Sequence, residues 1–551
     1  MAGPLTEGPD GQSPLVDDPE GRGACEQLEK PCASKGPRLS MLVVLALALS
    51  LGLYLPFLSI QHNPNGINEA ISVEKGGRGL FSPNHMLYRP LGWSVWHVMR
   101  GLGYWGRSLV ILQVISALAG AAAVAAAFVV YQALAGHWAP GMLAAFVLAT
   151  SSYFWGSSID AFYIGPAAAF AATAMAVVTV RAGRRGTATT AGALVALSIL
   201  VWQASVFLLP SIAAAVVLCG GGRTPRRRAI DVAVFFGMAG LLVTAVYVAV
   251  GAVVFRQDSP ASLLEWVFRY GGAQIPQWGA WGLDRVPSVL DSALSSIVPL
   301  KEVGGIEGVL RLGVGPTTVL PLIGLAAGLV LAVVVGWSMV RCGGLRALAI
   351  RHGWLVIGYA VFLPFLVWWD PFEPKWFVVP NLFLAGALSV GLGSVLRFRA
   401  LLVVAVLSTL VLASCTFATV IWPRKTELSS RQLGASCVAE HLGPDDVYLA
   451  LDWKWDGYLR YEHNIRVVSV IGLASRAPSP ESLRAMLQSE VARATAGGGH
   501  AFSVDPASYP RGQRMWLQRQ TGLDAGDLEC FVGEPAFECN GKTILRLERV
   551  R

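Results

Sequence analysis

The stretch SMLVVLALALSLGLYLPFLSI, residues 40–60, decides how the whole chain is read. It holds no charged side chain and meets the ~20 apolar residues that a helix needs to cross a bilayer. Upstream, residues 1–39 are polar, rich in Pro, Gly, Asp and Glu, and read as a disordered tail. That tail ends in Lys35 and Arg38, so the run reads as an uncleaved signal anchor with its N-terminus inside. Downstream comes QHNPNGINEAISVEKG, residues 61–76, carrying Glu69 and Glu74 where the chain leaves the first span.

The rest of the chain repeats the pattern. Hydrophobic residues make up 54% and charged residues 14%, with mean hydropathy +0.53. A soluble domain carries about 25% charged residues. Apolar spans are placed at 40–60, 107–135, 139–156, 162–181, 188–203, 204–219, 229–255, 316–340, 354–369, 376–395 and 400–421. The predicted fold is therefore a polytopic α-helical membrane protein of about 11 spans. Trp202, Gln203 and Pro210 interrupt the 188–219 region, which also reads as one kinked span plus a re-entrant segment.

Loop charges set the expected orientation. RAGRRG (181–186), GGGRTPRRR (220–228), RCGGLRALAIR (341–351) and LRFRA (396–400) are Arg-rich and free of acids. Glu69, Glu74, Asp160, Asp258, Glu265, Asp284, Asp291, Asp370 and Glu373 fall on the opposite face. This asymmetry places the N-terminus inside and the C-terminus outside. The net charge of +8 is thus distributed between spans. Without a basic patch and aromatic readers on a soluble module, nucleic acid is not an expected partner. Two outer loops are long, 61–106 and 256–315. In the second, SLLEWVFRYGG and VPSVLDSALSSIV read as amphipathic helices lying on the membrane.

From 424 to 551 the charge density becomes ordinary. Helices at 430–442, 453–461, 480–494 and near 510–520 alternate with strands VYLALD (447–452), RVVSVIG (466–472) and HAFSV (500–504). The end reads as antiparallel strands joined by an Asn540–Gly541 turn. A small extracytoplasmic α/β domain at 424–551 is expected, beside a transmembrane domain at 40–423. No Gly-rich phosphate fingerprint follows its strands. The eight cysteines show no metal-ligand spacing; Cys530 and Cys539 are candidates for a hairpin disulfide.

Three polar clusters lie on the expected outer face. The first is the 61–106 loop with Asn68, Glu69, Glu74, His85 and Arg89, the charged residues reading as non-helical and a short helix running from about Pro90 to Met99. The second is SSYFWGSSIDAFYIG (151–165), with Asp160 and Tyr163. The third is VWWDPFEPKWFVVPNLFL (367–384), with Asp370, Glu373 and Lys375 among tryptophans. The plainer reading is an interfacial aromatic belt with solvated charges, and an acid at a helix start for Asp160. The sharper one is a sugar transferase with a lipid-phosphate donor: a carboxylate takes a hydroxyl proton, cations hold the departing phosphate, and rings stack on sugar.

With those motifs in view, the layout resembles the GT-C superfamily of polyprenyl-phosphate-sugar-dependent membrane glycosyltransferases, such as protein O-mannosyltransferases and aminoarabinose transferases. In that superfamily an acidic motif, often Asp-Glu, follows the first span; here the place reads Ile67-Asn68-Glu69-Ala70, with Glu69 at the second acidic position and Asn68 where an Asp often stands. LFSPNHMLYRPLG resembles the segment after that motif, and EPKWFVVPNLFLAGAL the late loop whose cation faces the lipid phosphate, which carries over to Lys375. The resemblance implies inverting hexosyl or pentosyl transfer from a polyprenyl-phosphate sugar to a glycan, lipid or protein acceptor. Glu69 and Asp160 would be catalytic. Asn68, Glu74, His85, Arg89, Tyr163, Glu373 and Lys375 would bind substrate. No metal ligand is assigned, though a divalent cation is compatible with the superfamily. The competing readings are a transporter or flippase of lipid-linked sugars and a non-catalytic envelope assembly protein. Transporters favour ionisable groups at mid-membrane and paired repeats, and neither is visible. The Ala, Gly and Arg content points to a GC-rich bacterial source, hence a bacterial cytoplasmic membrane.

Overall fold

The computed structural model describes residues 38–220, 223–268, 281–313, 315–451, 455–474, 476–477, 479–509, 514, 517–518, 521–523 and 531–550. The chain divides into two compact units, residues 1–42 and 43–551. Of the first, the described part is Arg38 and the opening turn of the helix Leu39–Tyr54. The second holds the helical layer and a small C-terminal sheet.

All eleven apolar segments are helical, but not equally long. Leu39–Phe57, Ser108–Ala135, Pro225–Val253, Thr317–Arg341 and Arg399–His441 are long and apolar enough to cross a bilayer. Gly344–Arg351 and Gly353–Trp369, bent by 73°, make a sixth if counted together. Trp138–Thr150, Ile164–Val180, Thr187–Val201, Gln203–Cys219 and Pro380–Val395 are shorter. The protein is an integral membrane protein.

The helix Ser108–Ala135 sits at the centre, against Trp138–Thr150, Ile164–Val180 and Pro380–Val395. Small residues make that closeness possible. A Cβ on Gly141 would come within 2.7 Å of the Gln132 backbone nitrogen.

The first long loop is more helical than its sequence suggested. Glu69 lies on the helix Pro64–Lys75 and Arg89 on the helix Tyr88–Gly101; His85 sits in the turn between. The signal was local. Asn63 caps the first helix, its Oδ1 accepting from the Asn65 amide at 2.9 Å, and Pro64 occupies a first-turn position where no backbone donor is lost. Ile67, Ala70 and Val73 then form its buried stripe. In the second long loop the described helices are Pro260–Phe268, Val286–Ser295 and Gly305–Leu312.

The C-terminal segment forms a five-stranded sheet in the order β2-β1-β3-β5-β4. β1 (Val447–Ala450) runs parallel to β2 (Arg466–Ser469) and β3 (Ala501–Val504). β5 (Lys542–Val550) is antiparallel to β3 and pairs with β4 (Phe531–Cys539) across the Asn540–Gly541 turn. Both turn residues have positive φ, 51° and 68°. Much of the helix expected near 510–520 lies outside the described residues, as do the 1–37 tail and Cys530.

The expected Cys530–Cys539 pairing is replaced by Cys437–Cys539. β4 explains why: from Phe531 to Cys539 it is extended, so its two ends stand about 26 Å apart at ~3.3 Å per residue. Cys437, on the helix Ser430–His441, is the thiol within reach. The bridge closes 102 residues, a loop length whose chain-entropy effect is about 4–5 kcal/mol. Non-reducing peptide mapping should find Cys437 linked to Cys539. Cys437→Ser should lower the unfolding temperature of the purified protein; an unchanged temperature would mean that the bridge constrains nothing.

Candidate active site

At the end of the helical layer bearing the two long loops, a cavity of about 1640 Å³ opens beneath the C-terminal segment. Asn68, Glu69, His85, Arg89, Asp160, Tyr163, Glu373 and Lys375 all line it. The three polar clusters, remote in sequence, share one chamber. Glu74 is the exception.

Two elements meet closely on one wall. Gly66, on the helix Pro64–Lys75, lies so near the 159–163 turn that a Cβ would come within 2.6 Å of the Ala161 carbonyl oxygen. The Asn63 amide donates to Asp160 Oδ2 at 2.9 Å, and the Ala161 amide to Oδ1 at 2.7 Å. Asp160 is 3% exposed. Burial pushes its carboxyl up, offset in part by His62, Arg424 and these two amides.

Glu69, also 3% exposed, is held from above by Arg89. Arg89 Nε donates to Oε2 at 2.6 Å and Nη2 to Oε1 at 3.0 Å, while Nη1 reaches the Gly79 carbonyl at 2.9 Å. Burial alone would raise the Glu69 carboxyl. The Arg89 guanidinium outweighs it, with help from His85, and Glu69 is held below the usual carboxylate range. The side chain is thus a persistent anion with both oxygens engaged. His85 stacks on Tyr163, ring centroids 3.6 Å apart. Burial drives His85 down to about 4, with the Glu69 charge opposing, so at neutral pH it is an uncharged ring.

The third wall is the 370–376 turn. Lys375 Nζ lies 3.5 Å from Glu373 and 4.8 Å from the centre of the Trp376 ring. Trp376 donates to Asp370 Oδ2 at 3.3 Å and stacks on Trp202, centroids 5.9 Å apart and planes within 7°. Burial, together with Glu373, pushes the Asp370 carboxyl up. The second long loop braces this turn: Ser292 donates to the Pro371 carbonyl at 2.7 Å and Lys301 to that of Phe372 at 2.8 Å.

The C-terminal segment supplies the roof. Asp456, Tyr458 and Arg460 from the helix Asp456–Tyr461 line the cavity, as do Arg424 and Arg431. Nothing local in the sequence marks these residues, because their relation to the first loop is wholly tertiary. Trp202 was signalled by the break it makes in an apolar run.

Glu74 stands outside the cavity and acts elsewhere. Its carboxylate accepts from Arg107 Nε at 3.0 and 3.1 Å, from the Ser108 amide at 3.0 Å and from the Tyr461 hydroxyl at 2.9 Å. The Arg107 guanidinium lies 3.8 Å from the Tyr461 ring centre. Glu74 therefore fastens the roof to the first loop. The reason is its place on the helix: five residues beyond Glu69, about 500° at ~3.6 residues per turn, it points away from the cavity.

The two acids expected to be catalytic already have protein partners. Arg89 takes both Glu69 oxygens, Asp160 is bonded by two amides, and Asn68 stands where a second acid would be needed. Among the described residues, the group of three potential ligand atoms lying close together is Cys437, His441 and Cys539, and two of these share the disulfide.

No protein-family model matches the sequence, and no curated protein matches it. Solved structures do. ArnT from Cupriavidus metallidurans, bound to undecaprenyl phosphate, matches at TM-score 0.51 and 13% identity, over 91% of this chain and 97% of that one. The fold is that of the GT-C glycosyltransferases. The Archaeoglobus fulgidus oligosaccharyltransferase, in complex with zinc and sulfate, matches at TM-score 0.52 and 14% identity, over 90% of this chain and 71% of that one. Both matches run over about nine-tenths of this chain.

The buried Glu69–Arg89 pair generates a prediction. Removing one partner of such a pair costs about 3–5 kcal/mol, because the other charge is left buried and alone. Glu69→Gln and Arg89→Met should each lower the unfolding temperature in detergent, and the double variant should lose less than the sum. Since the carboxyl is depressed in the folded state, its contribution is complete above the unfolded value of about 4.3 and is lost as pH falls through the folded one. Additive losses would show that the two side chains are not coupled.

Proposed function

We propose that this protein transfers a sugar from a polyprenyl-phosphate donor to an acceptor on the extracytoplasmic face of a bacterial cytoplasmic membrane. The observation that carries the reading is the single cavity holding two buried acids, a lysine and stacked aromatics within a GT-C fold. A neighbour of that fold binds undecaprenyl phosphate, which supports the same donor class here. In this reading the chain crosses the membrane about eleven times, N-terminus inside, with 40–423 as the transmembrane domain and 424–551 as an extracytoplasmic domain. The Cys437–Cys539 disulfide supports that placement, since such bridges persist in oxidising compartments.

Lys375 holds the lipid phosphate, with Glu373 setting its position. Trp376 and Trp202 form a flat apolar face for the sugar or the first isoprene unit. Glu69 fixes Arg89 at the cavity wall, where the guanidinium offers the phosphate a second positive charge. Neutral His85 and Tyr163, with Asn68, contact sugar hydroxyls. Asp160 is the acid nearest the acceptor side. Transfer inverts the anomeric centre, because the acceptor hydroxyl displaces the phosphate in one step. The acceptor is a glycan, lipid or protein that enters beneath the roof.

Purified protein in detergent, given tritiated undecaprenyl-phosphate mannose, arabinofuranose and glucose with envelope glycans as acceptor, should release undecaprenyl phosphate. Lys375→Met should raise the KM for the donor by about 10–100-fold, the size of a charged hydrogen bond lost. Asp160→Asn should lower kcat instead. Counterflow of lipid-linked sugar in liposomes without any transfer would make the protein a transporter and end this reading.

A further inference from the structure

Glycosyl transfer to a hydroxyl needs a group to receive the hydroxyl proton, and the two buried acids are poorly arranged for it. Glu69 has both oxygens committed to Arg89. Asp160 has both committed to backbone amides. His85 already turns its Nδ1 toward the Val201 carbonyl, at 3.4 Å.

A different imidazole lines the same chamber. His62 is the residue before the helix cap Asn63, whose amide is bonded to Asp160. Its own carbonyl accepts from the Tyr458 hydroxyl of the roof, so the backbone carrying the ring is fastened on both sides. Its Nδ1 is buried and has no hydrogen-bond partner among the described residues. Around this corner stand Asp160 from the 159–163 turn and Arg424, Arg431, Tyr458 and Glu462 from the C-terminal segment.

Resting on the glycosyl-transfer reading above, we propose that His62 is the catalytic base, receiving the acceptor proton while Asp160 stabilises the imidazolium that forms. The acceptor O–H gives its proton to a ring nitrogen of His62. The oxygen bonds to the anomeric carbon as the bond from that carbon to the phosphate oxygen breaks. Its electron pair leaves with the polyprenyl phosphate, whose charge Lys375 meets. Asp160 is then a positioning residue, and the roof takes part in chemistry by holding His62 through Tyr458.

The test is the pH dependence of kcat in the undecaprenyl-phosphate sugar assay. Wild type should lose activity toward acid along a limb that reports protonation of the base. His62→Gln should lower kcat by about 10²–10⁴-fold and abolish that limb, with the KM for the donor little changed. Asp160→Asn should move the limb to lower pH, because removing the anion makes the imidazolium less favourable. His62→Gln within threefold of wild type, limb intact, overturns the proposal. Should that variant not fold, a wild-type limb that stays in place on Asp160→Asn overturns it instead. No transfer by wild type from any of the three donors removes the glycosyl-transfer reading itself, and this inference with it.

Discussion

Irregular backbone is costly inside an apolar layer, because its N–H and C=O groups have no water to bond. The architecture follows from that constraint. The helix Thr187–Val201 stops at Trp202, Phe362–Trp369 stops at Asp370, and Ser152–Ser158 ends just before Asp160. These breaks gather at one end of the layer, and all three residues line the cavity. Backbone groups near these breaks find side-chain partners there: the Pro371 and Phe372 carbonyls take Ser292 and Lys301, and the Asn63 and Ala161 amides take Asp160. The polar chamber is what results when broken helices satisfy one another.

Charge is handled by the same logic. Buried carboxylates survive only where donors compensate them. Glu69 and Glu74 lie five residues apart on one helix and meet different partners, an arginine across the cavity wall and an arginine–tyrosine pair under the roof. The first pair shapes the chamber; the second attaches the segment that covers it. Asp160 is different: His62, Arg424 and two backbone amides together do not outweigh its burial, so its carboxyl is pushed up rather than down.

Three distant parts of the chain meet at one corner of the cavity. His62, Asp160 and Tyr458 meet within one corner, joined through Asn63. In the reaction proposed above, that arrangement couples roof attachment to acceptor activation, so loosening the C-terminal segment would act on turnover as well as on stability.

The eleven apolar runs, the alternating C-terminal elements and the Asn540–Gly541 turn were legible in the sequence because local periodicity and turn chemistry determine them. So were the acids and Lys375 as residues of interest, since charge among apolar spans demands a reason. The Asn63–Pro64 helix start is equally local, even though Glu69 just beyond it reads as a loop residue from the sequence. Partnership was different. That Glu69 takes Arg89, that Glu74 faces Tyr461 some 387 positions away, and that Cys539 bonds Cys437 rather than its near neighbour depend on which faces pack together. Sequence set which residues had to be satisfied; only the tertiary structure, by fixing direction and distance, decided by whom.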